Sequence, residues 1–132
     1  MRLGRAIAVA LGLTLAACAG DETISGYADR DATYLLSDLF GEPFDATATI
    51  SFPEEGQIAG TGPCNAYSAA QSAPYPWFEP GPIAATRRAC PDLSAEAAFL
   101  AALETMTLSE VTGDVLILSD EDGREMVFRR QP

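Results

Sequence analysis

Hydrophobic positions fall along this chain in three rhythms, and each predicts a different structure. The first is a continuous block. Ala6 to Ala17 is an uncharged, mostly apolar run of 12 residues behind Arg2 and Arg5. It is too short to cross a hydrocarbon core, which takes about 20 helical residues. A short apolar run behind basic residues, ending in small side chains, is the pattern of a secretory signal peptide over residues 1–17. Residues 18–32 are polar and poor in large apolar side chains, which predicts a tether.

The second rhythm is alternation. Tyr34 to Leu39 reads as a first strand, broken by Gly41, Glu42 and Pro43. Ala46, Ala48, Ile50 and Phe52 then alternate with Thr47, Thr49 and Ser51, the period of a half-buried strand. Pro53 to Gly56 turns the chain, and Gln57 to Ser68 reads as the return strand. Gly60 and Gly62 inside that strand predict a bulge or a close approach by another backbone. Ala73 to Pro82 carries too many prolines for a central strand, so an irregular crossing with a short edge strand near Trp77-Phe78 is expected. Those two aromatics are expected in the core, with an exposed anchor as the alternative. Ile83 to Arg88 leads on to Cys90. The last segment reads as a meander: strands over Thr107–Val111, Val115–Leu118 and Glu125–Phe128, with turns between them.

The third rhythm is helical and occurs once. Ala95 to about Thr105 is rich in alanine and leucine, and Asp92 or Ser94 can cap it. Phe99, Leu103 and Met106 recur at i, i+4 and i+7 with Leu100 beside them, a stripe that should lie on the sheet.

Size and charge narrow the function. Without residues 1–17 the chain has 115 residues, enough for one domain. All eight basic residues are arginine, and two lie in the leader. The mature chain then sets six arginines against 19 acidic residues, a net charge near −13. That charge repels phosphate backbones, so no nucleic-acid partner is expected. It serves solubility, or it steers a basic partner. There is no histidine and no lysine, which excludes Ser-His and Cys-His hydrolases and removes the usual zinc ligand. The acidic turn Asp120-Glu121-Asp122-Gly123 lacks the length and closing glutamate of a calcium loop and reads as a hairpin turn. No metal and no cofactor are expected.

Leu15-Ala16-Ala17-Cys18 looks like a lipobox, in which Cys18 becomes the first residue and carries lipid. Each buried methylene contributes roughly 0.8 kcal/mol, so two or three acyl chains make attachment lasting. A secreted protein with a chance cysteine at its cleavage site is the alternative. Ala19, where aspartate tends to retain a lipoprotein at the inner membrane, favours the outer membrane, facing the periplasm.

Two segments carry a family resemblance. Gly60-Thr61-Gly62-Pro63-Cys64-Asn65-Ala66-Tyr67-Ser68 resembles the Gly-x-x-Gly-Cys-Asn-x-Tyr-Ser stretch of the META/HslJ family of heat-shock-related proteins. Thr86-Arg87-Arg88-Ala89-Cys90 is similar to that family's Thr-Arg-x-Ala-Cys stretch. The resemblance implies an α+β domain over about 33–130: a small curved antiparallel sheet with one packed helix. It implies no shared catalytic residue, so no enzyme is expected.

With Cys18 taken by lipid, Cys64 and Cys90 remain as a pair in an oxidising compartment, and both sit in the resembling motifs. One disulfide is expected, closing a loop of about 27 residues and contributing roughly 3.5 kcal/mol. A reactive thiol pair is the alternative. Asn65, Tyr67, Thr86 and Arg87 flank the pair. They either hydrogen-bond around the crossing of the two motifs or form a recognition patch to which Arg87 and Arg88 lend positive charge. The function expected is a non-enzymatic envelope lipoprotein, held to the membrane by its lipid, that acts in stress tolerance or binds an envelope protein. An inhibitor of a basic envelope hydrolase such as lysozyme is the alternative. A hydrolase built on paired aspartates is the remotest reading.

Overall fold

The computed structural model describes residues 20–132, together with Gly12. The rest of the expected leader, and Cys18, lie outside the described residues. Among the described residues there are nine strands and one α-helix: β1 (Tyr34–Leu39), β2 (Glu42–Pro43), β3 (Thr49–Ile50), β4 (Gln57–Thr61), β5 (Ala66–Ala70), β6 (Ala84–Ala85), α1 (Leu93–Thr105), β7 (Leu108–Thr112), β8 (Val115–Ser119) and β9 (Glu125–Arg130). The fold is a small α+β domain, as expected.

The strands form two antiparallel sheets. One runs β2-β1-β9-β8-β7 with β3 also on β1, and the other runs β4-β5-β6. A bridge between Ser51 and Ala59 joins them. Phe52, Ile58, Phe99, Leu103, Leu116, Leu118 and Phe128 are fully buried in one shared core. Helix α1 contributes the predicted stripe. Phe99, Leu103 and Met106 are buried, and the Phe99 ring meets Tyr67 edge-on at 5.5 Å. Asp92 stands at the N-cap but its side chain makes no capping bond.

Several expectations need correction. Gly41, Glu42 and Pro43 do not simply end β1. Phe40 (φ 54°) and Gly41 (φ 83°) make a two-residue turn that brings Glu42-Pro43 back beside β1. Pro43 is tolerated because β2 is an edge strand. Ala46–Phe52 keeps its alternation only in part: Ala48, Ile50 and Phe52 are buried, but so is Thr49, whose hydroxyl meets that of Thr61, and only Thr49–Ile50 pairs as a strand. Gln57–Ser68 is two strands, not one. The chain reverses at Gly62-Pro63-Cys64-Asn65, where Pro63 has no N–H to continue a ladder, and β4 and β5 pair from Gln57↔Ala70 to Thr61↔Ala66.

The expected tether is shorter than 18–32. Thr23, Ile24 and Ser25 are buried, and a single 3-10 turn spans Ile24–Gly26. The Asp21 carboxylate organises this turn by accepting hydrogen bonds from the Thr23 N–H and hydroxyl at 2.8 and 2.6 Å and from the Ser25 hydroxyl. Arg30 pairs with the same carboxylate at 2.5 Å. Burial alone would raise the Asp21 pKa, but these hydrogen bonds outweigh it and hold it at about 2.

The edge strand expected near Trp77 is reduced to an isolated bridge on β7. Phe78 N–H donates to Thr107 O at 2.9 Å, Ser109 N–H donates to Pro76 O at 2.7 Å, and Trp77 pairs with Leu108. Its two aromatics divide. Phe78 points into the core, whereas Trp77 is 58% exposed, because adjacent residues of an extended segment face opposite sides. No helix among the described residues is long and apolar enough to cross a membrane.

Candidate functional site

The two cysteine motifs meet where the β4–β5 corner abuts the first turn of α1. A Cys64–Cys90 disulfide joins them, with the Cα atoms 5.7 Å apart. Beside it, Glu96 reaches from α1 into the corner although it is a charged residue on a buried face. Its Oε1 accepts hydrogen bonds from the N–H groups of Cys64 and Asn65 at 3.1 and 2.6 Å. Its Oε2 accepts from Asn65 Nδ2 at 2.7 Å. Glu96 therefore satisfies backbone donors that the turn cannot pair internally, at the cost of desolvating a carboxylate.

The corner admits Glu96 only because Gly62 has no side chain: a Cβ there would lie 2.7 Å from Glu96 Oε1. Gly60 meets the second half of the glycine expectation. A Cβ on it would lie 2.1 Å from the carbonyl oxygen of Thr49, the strand crossing beneath. That same carbonyl accepts the Tyr67 hydroxyl at 2.6 Å.

Asn65 is the centre of the network. Its Oδ1 accepts from the Arg88 N–H at 2.5 Å and from the Thr86 hydroxyl at 3.0 Å. Its Nδ2 also donates to the Arg88 carbonyl at 3.2 Å. Thr86 returns the link, with its hydroxyl accepting from the Ala66 N–H at 3.2 Å and its own N–H donating to the Ala66 carbonyl at 3.0 Å. Both motifs are thus bound by one covalent bond and a closed set of hydrogen bonds.

The four residues singled out in the sequence separate into two groups. Asn65 and Tyr67 are buried and hydrogen-bonded within the fold, and Thr86, though exposed, is bonded to both Asn65 and Ala66. Burial raises the Tyr67 pKa far above that of a free phenol, so it stays protonated. Arg87 is exposed, and so is Arg88. Among the described residues, ion pairs occupy Arg30, Arg124 and Arg130, and none involves Arg87 or Arg88. The two arginines rim an open groove of about 480 Å³ whose apolar lining comes from Ile83, Leu93 and Leu100. Glu96 is the residue that sequence reasoning missed. Its position three residues before Phe99 places it on the apolar stripe, which was the available signal.

Such a groove can bind an anion with an apolar body. Guanidinium forks accept a carboxylate or phosphate in bidentate fashion, and the lining covers hydrocarbon. Elsewhere, the acidic turn uses its own charge. Asp120 Oδ1 accepts from the Asp122 and Arg124 N–H groups at 2.9 Å each, and Oδ2 meets Arg124 Nε at 2.8 Å. Burial would raise the Asp120 pKa, but these bonds and the Arg124 charge outweigh it and lower it. Among the described residues no group of three or more acidic or cysteine side chains could hold a metal ion.

The META domain profile matches residues 28–132. A Burkholderia xenovorans protein solved by NMR has a similar fold: TM-score 0.61 and 21% identity over 76% of this chain and 82% of that one. A crystal structure of a DUF4847 family protein from Bacteroides vulgatus gives a TM-score of 0.65 and 15% identity, over 80% and 98% of the two chains. No curated protein matches the sequence. The motifs, the helix-on-sheet fold and the extent of the match agree, and the chain belongs to the META domain family.

Proposed function

We propose that this protein is a non-enzymatic binding protein of the cell envelope, lipid-anchored through Cys18, that holds an anionic partner in the Arg87–Arg88 groove. The observation that carries the reading is that Arg87 and Arg88, exposed and outside any ion pair among the described residues, line one groove on a mature chain of net charge near −13, whereas Arg129, likewise exposed and outside an ion pair, does not line it. The backbone of Arg88 is held on both sides by Asn65, so this end of the site is preorganised, which reduces the ordering cost of binding. The other polar side chains lining it are committed to structure: the Glu96 carboxylate accepts three hydrogen bonds, and Asn65 and Thr86 bond to each other and to the backbone. An envelope-stress role is what the family resemblance adds.

The test is photocrosslinking in intact cells from position 89, in the groove, and from position 54, an exposed turn remote from it in sequence. A discrete adduct from position 89 and none from position 54 is expected. Equal adducts from both positions would sink the reading. An inhibitor of a basic hydrolase is the second reading, favoured by the overall negative charge. The groove has the wrong sign for such a target, so its test is separate: inhibition of lysozyme by the mature domain.

A further inference from the structure

We propose that the outer face of the larger sheet at its β7 edge, marked by Tyr27, Tyr75, Trp77 and Leu108, rests on the headgroup layer of a zwitterionic bilayer. The inference rests on lipid anchoring at Cys18. Only Ala19 and Gly20 separate that cysteine from Asp21, whose carboxylate is fixed by Thr23, Ser25 and Arg30. Three fully extended peptide steps span about 10 Å. The headgroup layer on each side of a bilayer is roughly 5–7 Å thick. The two lengths differ by only about 3–5 Å, so an anchored domain stays within contact range of the headgroups, and the surface beside its point of entry is the one held nearest to lipid.

That surface is aromatic. Tyr75 N–H donates to the Glu22 carbonyl at 2.7 Å, which places the Tyr75–Trp77 segment at the chain's entry. The Tyr27 ring stacks on Tyr75 with centroids 4.1 Å apart and is itself 55% exposed. Trp77 and its pairing partner Leu108 project from the same sheet face, because directly paired residues share a side. Three of the five large hydrophobic side chains exposed among the described residues, Tyr27, Trp77 and Leu108, thus collect where the anchor would pull the domain down.

Tyrosine and tryptophan suit the depth at which an apolar ring meets polar headgroups. The headgroup charge also follows from the structure. Glu110 and Glu125 line a shallow groove with Tyr75, Pro76, Leu108 and Ile117 on this face. These carboxylates repel an anionic surface and accept the ammonium of a zwitterionic headgroup.

Trp77 is the only tryptophan, so its fluorescence reports on this face alone. The full chain is expressed in a bacterium that processes lipoproteins, extracted from membranes, and reconstituted into phosphatidylcholine vesicles carrying bromine near the headgroup end of the acyl chains. Mass spectrometry of the N-terminal peptide reads acylation, and Trp77 emission reads contact. Acylated protein with quenched, blue-shifted emission is the expected result. Acylated protein whose Trp77 stays unquenched and open to aqueous acrylamide overturns the docking and leaves the anchor intact. Protein without acyl chains defeats the anchor, and the docking with it. The variant Tyr27→Ser/Leu108→Ser should remain acylated and vesicle-bound while losing quenching; retained quenching contradicts the assigned patch. Replacing the host lipid with phosphatidylglycerol should lower the quenching, and a rise would overturn the choice of a zwitterionic surface.

Discussion

The β7–β8–β9 meander and the cysteine corner are held together in opposite ways. In the meander, each strand pairs with its sequence neighbour and buries alternate residues, Leu116 and Leu118 on β8 and Met126 and Phe128 on β9. Its contacts are local, apolar and interchangeable in kind. The corner joins residues 64, 86, 90 and 96 by a disulfide and a buried carboxylate–amide network. Its contacts are specific, polar and mutually dependent. The difference teaches a division of labour. Hydrophobic alternation builds the body of the domain, whereas the family motifs build a frame, and the frame positions Arg87 and Arg88.

The largest effect should come from the body. Phe128→Ala empties a fully buried site shared by β1, β8 and β9, and should cost about 3–5 kcal/mol in urea unfolding. A cost under 1 kcal/mol would mean that the core collapses around the gap. Next comes the covalent link. Cys64→Ser/Cys90→Ser removes a bridge across 26 positions of sequence and should cost about 3.5 kcal/mol. Non-reducing mass spectrometry of the wild type should show the bond; two free thiols after export would contradict it.

Glu96→Gln is the sharper probe of the frame. It keeps the shape of the side chain but replaces one acceptor with a donor, facing Asn65 Nδ2 or the Cys64 and Asn65 N–H groups. Leaving a buried donor unmatched should cost about 1–3 kcal/mol, with faster exchange of the Asn65 amide proton. An unchanged Asn65 amide would show that the carboxylate does not hold the corner. The smallest effect is at the entry turn. The Asp21 carboxyl is held at about 2, below the 3.8 of a free aspartate, so its folded pKa is depressed. Its stabilisation is complete above the unfolded value and is lost as pH falls through the folded one. The protection of the Thr23 amide, measured against its intrinsic exchange rate, should therefore fall as pH drops from 4 to 2 in the wild type, and Asp21→Asn should remove that dependence.

Much of the body was legible in the sequence because its signal is periodic. Ala48, Ile50 and Phe52 alternate and are buried, and Phe99, Leu103 and Met106 recur at helical spacing and face the sheet. The frame was legible only as a set of motifs. Nothing in the spacing of Gly60, Gly62 and Pro63 separates a long strand with kinks from two strands and a corner, because the deciding contact is Glu96, over 30 residues away. Ile24 was hidden for a different reason. One apolar residue among polar neighbours has no period, and its burial depends on a turn that the Asp21 carboxylate closes locally. Trp77 was misplaced because hydrophobicity alone does not say which side of an edge strand a residue takes.

The claim on which the function turns is that recognition lies in the two exposed arginines and not in the buried motif residues that support them. The most direct measurement is the adduct yield from a photocrosslinker at position 89 in the variant Arg87→Glu/Arg88→Glu. Both side chains are exposed and, among the described residues, outside any ion pair, so the variant should fold with wild-type stability, within about 0.5 kcal/mol. Loss of the adduct from a fully folded variant is the predicted result, and an undiminished adduct would contradict it.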